Sequence, residues 1–499
     1  MNNSFKPLAL AAAVAALSAG TAGVANAGSY PSLGDAAFVP YYTVEQDWVT
    51  GVHIINSSDL TQVVKIRLRR AEDSLDILDF NLIMSPKDEW TGTLGGDDAE
   101  MRFVTEDNTC TAPELLDAGA GKTYAPVFGP RIPGAQEGYI EVIAMGSADE
   151  NQPISVGAEH VNGVPVNCDR VRNNFFVDAV IANDETFTDG CGLAGADQCG
   201  TSNYDDTDNV LKVSYFTRDS GSGIEFGNNA VHFEDFSDDA MMTHQQFGLE
   251  NYANEPDDAL FGWDFPDVRG GGNNVGSRYS YQVVRDQLGA DAILNDWSYN
   301  PATGAATDWV VTFPGQYALQ DFYQLEDFLA GDEDAVWDYR QIPVVATFDV
   351  YDREEASAVP GGLNFSPSPA PDAAFLDNEV NVVTWGGKEV LNSKFATNVN
   401  PAEAGIASPV GWASLAVDGK SGPSVDNATG NPQANAWCDV AAGPVNGGGD
   451  LASLDGFCDM YEVDSVVPMV GFAVWERTFA EDTDRNYGRT VEHSFTTSN

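Results

Sequence analysis

The chain has 499 residues, 43% of them hydrophobic, and a formal charge of −52 from 76 acids against 24 bases. That length can bury a large core, and the hydrophobic share argues against a disordered chain despite the charge. The acidity makes nucleic acid a poor partner, since that ligand needs a basic face, and suits a salty, cation-rich medium that screens self-repulsion.

The first 27 residues read as a secretory signal peptide. Lys6 is their only charge, an apolar run spans Leu8 to Leu17, and Ala25-Asn26-Ala27 offers a small-residue cleavage site. Residue 28 is Gly rather than Cys, so no lipid is expected there. Beyond the leader no apolar run approaches the ~20 residues of a spanning helix. The expectation is an exported chain without a membrane span, at the cell surface or in the extracellular matrix.

The elements that follow are mostly strands. Val63–Arg69 alternates after the turn-like Asn56-Ser57-Ser58-Asp59, and Ile77–Ile83 alternates with Leu78, Phe80 and Leu82 on one face. Gly138–Ala144, Phe175–Ile181, Val210–Phe216, Trp309–Phe313, Val344–Val350 and Val470–Trp475 are further strands. Asn381–Trp385 and Lys388–Leu391 flank Gly386-Gly387, which predicts a two-residue hairpin. Tyr279–Asn295 is the best helix, broken or capped near Gly289, and Leu319–Leu329 fits a short helical turn.

Loops rich in Gly, Pro and Asp separate these runs. Asp184–Asn209 is acidic and Gly-rich, Ala356–Asp372 is rich in Pro, Gly and Ser, and Gly419–Asn435 is polar. The pattern predicts an all-β fold with minor helix: two or more antiparallel β-sandwich-like domains joined by such loops. The expected units are an N-terminal sandwich at 28–185, a middle β-rich domain with a short helix at 210–355, and a C-terminal β-rich region at 373–499. The six cysteines, even in number in an exported chain, predict disulfides. Sequence proximity favours Cys191–Cys199 and Cys438–Cys458, leaving Cys110–Cys168.

Catalytic signatures are scarce. The five histidines form no H-E-x-x-H or other close pair, and there is no G-x-S-x-G elbow and no phosphate-binding loop. Asp219-Ser220-Gly221 matches only the centre of a serine-protease motif. Carboxylate pairs abound in so acidic a chain, so a glycosidase is a weaker reading, and no enzyme is expected. The best cation site is Asp482-Thr483-Asp484-Arg485-Asn486, where Asp482, Asp484 and Asn486 offer alternate oxygens as Ca²⁺ loops do. It departs from the EF-hand pattern at Gly488 and at His493, which stands where that pattern has Glu. Asp205, Asp206 and Asp208 form a second candidate. Oxygen-only sets suit Ca²⁺ over Zn²⁺ or Cu²⁺.

Three groups of segments carry a resemblance. They are Phe38-Val39-Pro40-Tyr41-Tyr42 with Val52–Asn56 and Leu78–Trp90; Asp308–Pro314; and Val470–Arg477 with Asn486–Arg489. Together with the leader and the acidity, the chain resembles the exported, β-rich surface-layer and biofilm-matrix proteins of marine Gammaproteobacteria. The resemblance implies a structural protein that tiles into a two-dimensional sheet around the cell and is shed into the matrix. It supplies no catalytic residues. The partners expected are further copies of the chain and, through divalent cations, lipopolysaccharide. The alternative is a secreted calcium-dependent adhesin or carbohydrate-binding protein.

Overall fold

The computed structural model describes residues 31–96, 101–126, 134–172, 204–237, 240–241, 266–268, 283–284, 286–315, 344–357, 374–376, 378–417, 467–479 and 485–496. Four larger sheets organise them. Sheet I has six strands in the order Val231–Phe233, Ala36–Thr43, Glu137–Ala148, Thr61–Arg70, Asp76–Met84 and Cys110–Ala112. Sheet II has seven: Glu225–Asn229, Leu211–Asp219, Trp48–Asn56, Glu89–Gly95, Arg102–Thr105, Lys122–Pro126 and Leu116–Gly119. Sheet III orders Ala396–Val399, Val380–Trp385, Ala305–Thr312, Val470–Arg477 and Tyr487–Glu492. Sheet IV orders Ala374–Leu376, Val344–Asp352, Val410–Val417, Ala292–Ser298 and Ser494–Thr496. Pairing within each is antiparallel except between Val380–Trp385 and Ala396–Val399. The fold is therefore all-β with minor helix, as the alternation of apolar residues predicts.

The alternation also sets the layers. Val64, Ile66 and Leu68 of sheet I meet Val52, Ile54 and Trp90 of sheet II in one core. Val310, Val382, Phe472 and Val474 of sheet III join that core from one face. The other face of sheet III, with Trp309, Val311, Val383 and Trp385, packs on Ile293, Trp297, Val350 and Leu415 of sheet IV. Trp297 and Trp385 stack with ring centres 5.6 Å apart. A sheet buried on both faces needs near-continuous apolar strands, which is what Trp309-Val310-Val311 and Val380–Trp385 supply. Sheet III thus belongs to both cores. A register shift between Val39 and Tyr42 accompanies the junction, and the Pro40 carbonyl accepts from Thr312 Oγ1 at 2.7 Å.

The strand pairings cut across the expected units. Leu211–Asp219 pairs with Trp48–Asn56, and Val231–Phe233 with Ala36–Phe38, so both lie in sheets of the N-terminal sandwich. Val344–Asp352 pairs with Val410–Val417 across the proposed boundary at 373. Hydrophobic period identifies a strand but not its neighbour, and long-range pairing decided these places.

Two local expectations are corrected. Among the described residues of 279–295, helix is found only at 283–284 and 286–288, before Gly289, and Ala292–Ser298 is a strand of sheet IV. Its Ile293 and Trp297 read equally well at helical spacing, but in sheet IV they supply one face of the second core. The Gly386-Gly387 turn forms, with φ of 77° and 88°, and a Cβ on Gly386 would lie 2.1 Å from the Tyr299 ring. Lys388–Leu391 does not return as a strand. The Asp308 carboxylate accepts from the amides of Val390 and Leu391 at 2.8 and 2.9 Å, and the chain crosses to the parallel strand Ala396–Val399. The expected strand Phe175–Ile181 and the turn at Leu319–Leu329 lie outside the described residues.

The outward face of sheet I is buried too. At one end Val63, Ile83 and Met145 pack under the short helices Pro153–Ala158 and Cys168–Arg172. Cys110 and Cys168 are joined there as expected, which ties a helix to the edge strand. The closed loop constrains the unfolded chain by about 2–4 kcal/mol. Farther along, Lys65, Arg67 and Arg69 point outward on alternate positions, and none is more than slightly exposed. Lys65 Nζ lies 3.5 Å from Asp79, Arg67 Nη2 3.3 Å from Asp79, and Arg69 Nε 3.3 Å from Glu141. Arg67 also pairs with Asp76, and Arg69 Nη2 reaches Asp267 at 3.1 Å. Burial opposes the Arg67 charge, but Asp76 and Asp79 outweigh it and raise its pKa.

Two predictions follow from these buried charges. Arg67→Ala leaves carboxylates buried without their cation and should cost about 3–5 kcal/mol, read from urea unfolding. Asp308 has its pKa raised to about 7, chiefly by burial, with the two backbone hydrogen bonds opposing. Its folded pKa lies above the ordinary value of 3.8, so the folded state holds the proton longer and stability falls as pH rises from about 4 to about 7. Asp308→Asn keeps an acceptor without the charge. Its melting temperature relative to the parent should rise through that window and level off above it.

Candidate functional site

Alternation in sheet II sends Trp48, Val52, Ile54, Trp90, Leu94 and Phe103 into the core and leaves the opposite face to solvent. Cross-strand register aligns a row on that open face. Phe216 stands opposite Gly51, Gly51 opposite Thr93, Thr93 opposite Val104, Val104 opposite Tyr124, and Tyr124 opposite Leu116. The Phe216 ring lies over Gly51, where a Cβ would come within 2.1 Å of it, so only glycine lets the ring lie flat. Leu116 is 50% exposed at the sheet edge.

A cleft of about 670 Å³ occupies part of this face, lined by Thr91, Thr93, Arg102, Val104, Glu106 and Lys122 among others. That volume is in the ~300–1,000 Å³ range of ligand clefts. Arg102 lies over the Tyr124 ring with its guanidinium carbon 4.9 Å from the ring centre. Lys122 Nζ donates to Glu106 at 2.6 Å and holds the Glu106 carboxyl below its ordinary pKa. Both side chains are well exposed, so the pair contributes little and a ligand can exchange with it. Thr105 Oγ1 donates to the Thr91 carbonyl at 2.6 Å and fixes the end of the cleft. The arrangement can receive an anion at Arg102 and Lys122, with the Tyr124 ring and the Thr91 and Thr93 hydroxyls beside them.

The expected cation residues divide between described and undescribed positions. Asp482 and Asp484 lie outside the described residues. Asn486 Oδ1 accepts from the Phe479 amide at 2.8 Å, closing the neck of that loop. Arg477 and Arg485 flank the Phe479 ring at 5.3 and 4.8 Å, so two cations stand at the neck. His493, the position where the EF-hand pattern has Glu, is buried. It bonds the Val310 carbonyl through Nε2 at 2.9 Å and meets Asn295 Nδ2 at Nδ1, also 2.9 Å. Burial depresses its pKa to about 4, so it is a neutral core residue. Asp205, Asp206 and Asp208 are exposed, and Asp205 bridges Ser147 through its backbone. Among the described residues no group of three or more His, Cys, Asp or Glu is placed to hold a metal ion. Cys191, Cys199, Cys438 and Cys458 lie outside the described residues.

Asp219 of the partial protease motif closes a turn, its carboxylate accepting from the amides of Gly221 and Ser222 at 2.8 and 3.1 Å. A different Ser, His and Asp do meet, which the sequence spacing did not signal. Ser85 Oγ lies 3.0 Å from His160 Nδ1, Asp88 Oδ2 lies 3.9 Å from the same nitrogen, and Nε2 bonds Asn108 Oδ1 at 3.0 Å. Burial raises the Asp88 pKa, and His160 opposes the shift. A proton relay needs hydroxyl and carboxylate on opposite ring nitrogens, whereas here they share one. The cluster clasps the hairpin His160–Pro165 to the loops at Ser85 and Asn108.

No protein-family model matches this chain, and no curated protein does.

His160→Ala should release that hairpin by about 1 kcal/mol, the order of one net hydrogen bond. Hydrogen exchange at residues 160–165 should speed up while global melting hardly moves.

Proposed function

We propose that the chain is an exported structural protein that self-associates into a two-dimensional layer at the cell surface, with divalent cations as bridging counterions. The observation that carries this reading is the continuous stack of four sheets, in which sheet III is buried on both faces. Such a stack suits a rigid tile better than a clamp that opens around a substrate. The resemblance to surface-layer and biofilm-matrix proteins supports the same reading.

The charge of −52 supplies the role of the cation. Neighbouring copies repel, and monovalent salt only screens them. Ca²⁺ takes six to eight oxygens and can collect carboxylates from two molecules. The exposed Asp205, Asp206 and Asp208 and the loop of Asp482, Asp484 and Asn486 are the positions proposed for it. The same bridging would hold the layer on anionic lipopolysaccharide. A second reading, a secreted carbohydrate-binding protein, is favoured by the aromatic row and cleft of sheet II.

The purified chain should form sheets at millimolar Ca²⁺, seen by negative-stain microscopy and light scattering, and a chelator should dissolve them. Sheets that never form, or that survive chelation, contradict the cation-bridged layer.

A further inference from the structure

We infer that the open face of sheet II binds an anionic polysaccharide, of the polyuronate type, laid across the strands. The inference deepens the carbohydrate-binding reading and is independent of layer formation. Its basis is the row from Phe216 through Thr93, Val104 and Tyr124 to Leu116, which crosses the sheet at right angles to the strands. Adjacent strands are ~4.8 Å apart, so Phe216 and Tyr124, four strands apart, stand about 19 Å from each other. A partner β-strand would pair along a sheet edge and would not follow this row. A chain of pyranose rings fits it, because each ring offers an apolar face to an aromatic or aliphatic side chain and hydroxyls to Thr91 and Thr93.

The charge of this face selects an anionic sugar. Arg102 and Lys122 lie at one end of the row, and Arg218, with Lys212 on the same strand, at the other. Four of the chain's 24 bases share this face, in a chain that carries 76 acids. Of the acids on the face among the described residues, Glu106 is paired with Lys122 and Glu225 stands opposite Arg218. Glu89 lies 3.9 Å from His53. Carboxylates spaced along a polyuronate would replace Glu106 at Lys122 and reach Arg218 at the far end.

The test is titration calorimetry of the full-length protein with sodium alginate oligomers, in a chelator and at low salt. Binding should occur without divalent cations and weaken with added salt. Lys122→Glu and Arg218→Glu, both at exposed positions, should each weaken it about tenfold or more while thermal melting stays at the parent value. Neutral cello-oligosaccharides should bind far more weakly. Absence of binding, binding that requires Ca²⁺, or binding indifferent to both variants would overturn the inference. Equal or tighter binding of poly-glutamate would overturn it in favour of an acidic protein segment. If alginate fails while calcium-dependent sheets still form, the layer reading stands and only this inference falls.

Discussion

Arg67 anchors the first sandwich. Its guanidinium lies within reach of carboxylates from both neighbouring strands, Asp76 and Asp79 on one side and Glu141 on the other. A fully buried cation is tolerable only when partners surround it. Asp79 and Glu141 stand directly opposite Arg67 in the ladder. A one-residue slip of either strand would turn its carboxylate to the apolar face. The ion network therefore favours one register where Val, Ile and Leu alone would accept several. With Lys65 and Arg69 against Asp76, Asp79, Glu141 and Asp267, it is nearly neutral. The acidity of the protein therefore resides elsewhere.

Sheet III transmits that order to the rest of the chain. Its first contact with sheet I is a backbone bond from the Val380 amide to the Ala71 carbonyl, just past the strand that bears Arg67. The Thr312 bond to Pro40 adds a second fixed point. Because one sheet lines both cores, sheet IV is positioned by the same strands that close the first sandwich. A change in Trp309 or Val310 faces opposite cores although the residues adjoin. Asp308 lies in the same strand and steers the following connection by capturing two amides.

The strands that were legible carry a two-residue period or a continuous apolar run, whereas Ala292–Ser298, whose apolar residues also fit helical spacing, was not. Val63–Arg69 became Thr61–Arg70, and Val470–Trp475 became Val470–Arg477. Partners were not legible, since nothing local in Leu211–Asp219 says that Trp48–Asn56 lies beside it. The hairpin after Trp385 misled because its turn is real and only the returning strand is missing. Charged side chains also hid their fate. Lys65, Arg67 and Arg69 alternate as a solvated face would, and only the tertiary structure shows them enclosed. The binding face was invisible for a related reason. Its Phe216, Val104 and Tyr124 come from three strands and meet only through cross-strand register. Cys110–Cys168 was reached by elimination, with no direct signal for it.

The two lateral edges of sheet II differ. Glu225–Asn229 lies under Tyr487–Glu492, where Asn228 bonds Glu492 at 3.1 Å and the Phe226 ring reaches Gly488. Leu116–Gly119, at the opposite edge, is exposed along its whole length. Growth by adding strands to this sheet would need two receptive edges on every copy, and among the described residues each copy offers one. Pairing at that edge relates two molecules by a two-fold axis and then has nowhere to continue, so it ends in a closed dimer instead of a fibre. An extended array would then need surfaces other than the edges of this sheet.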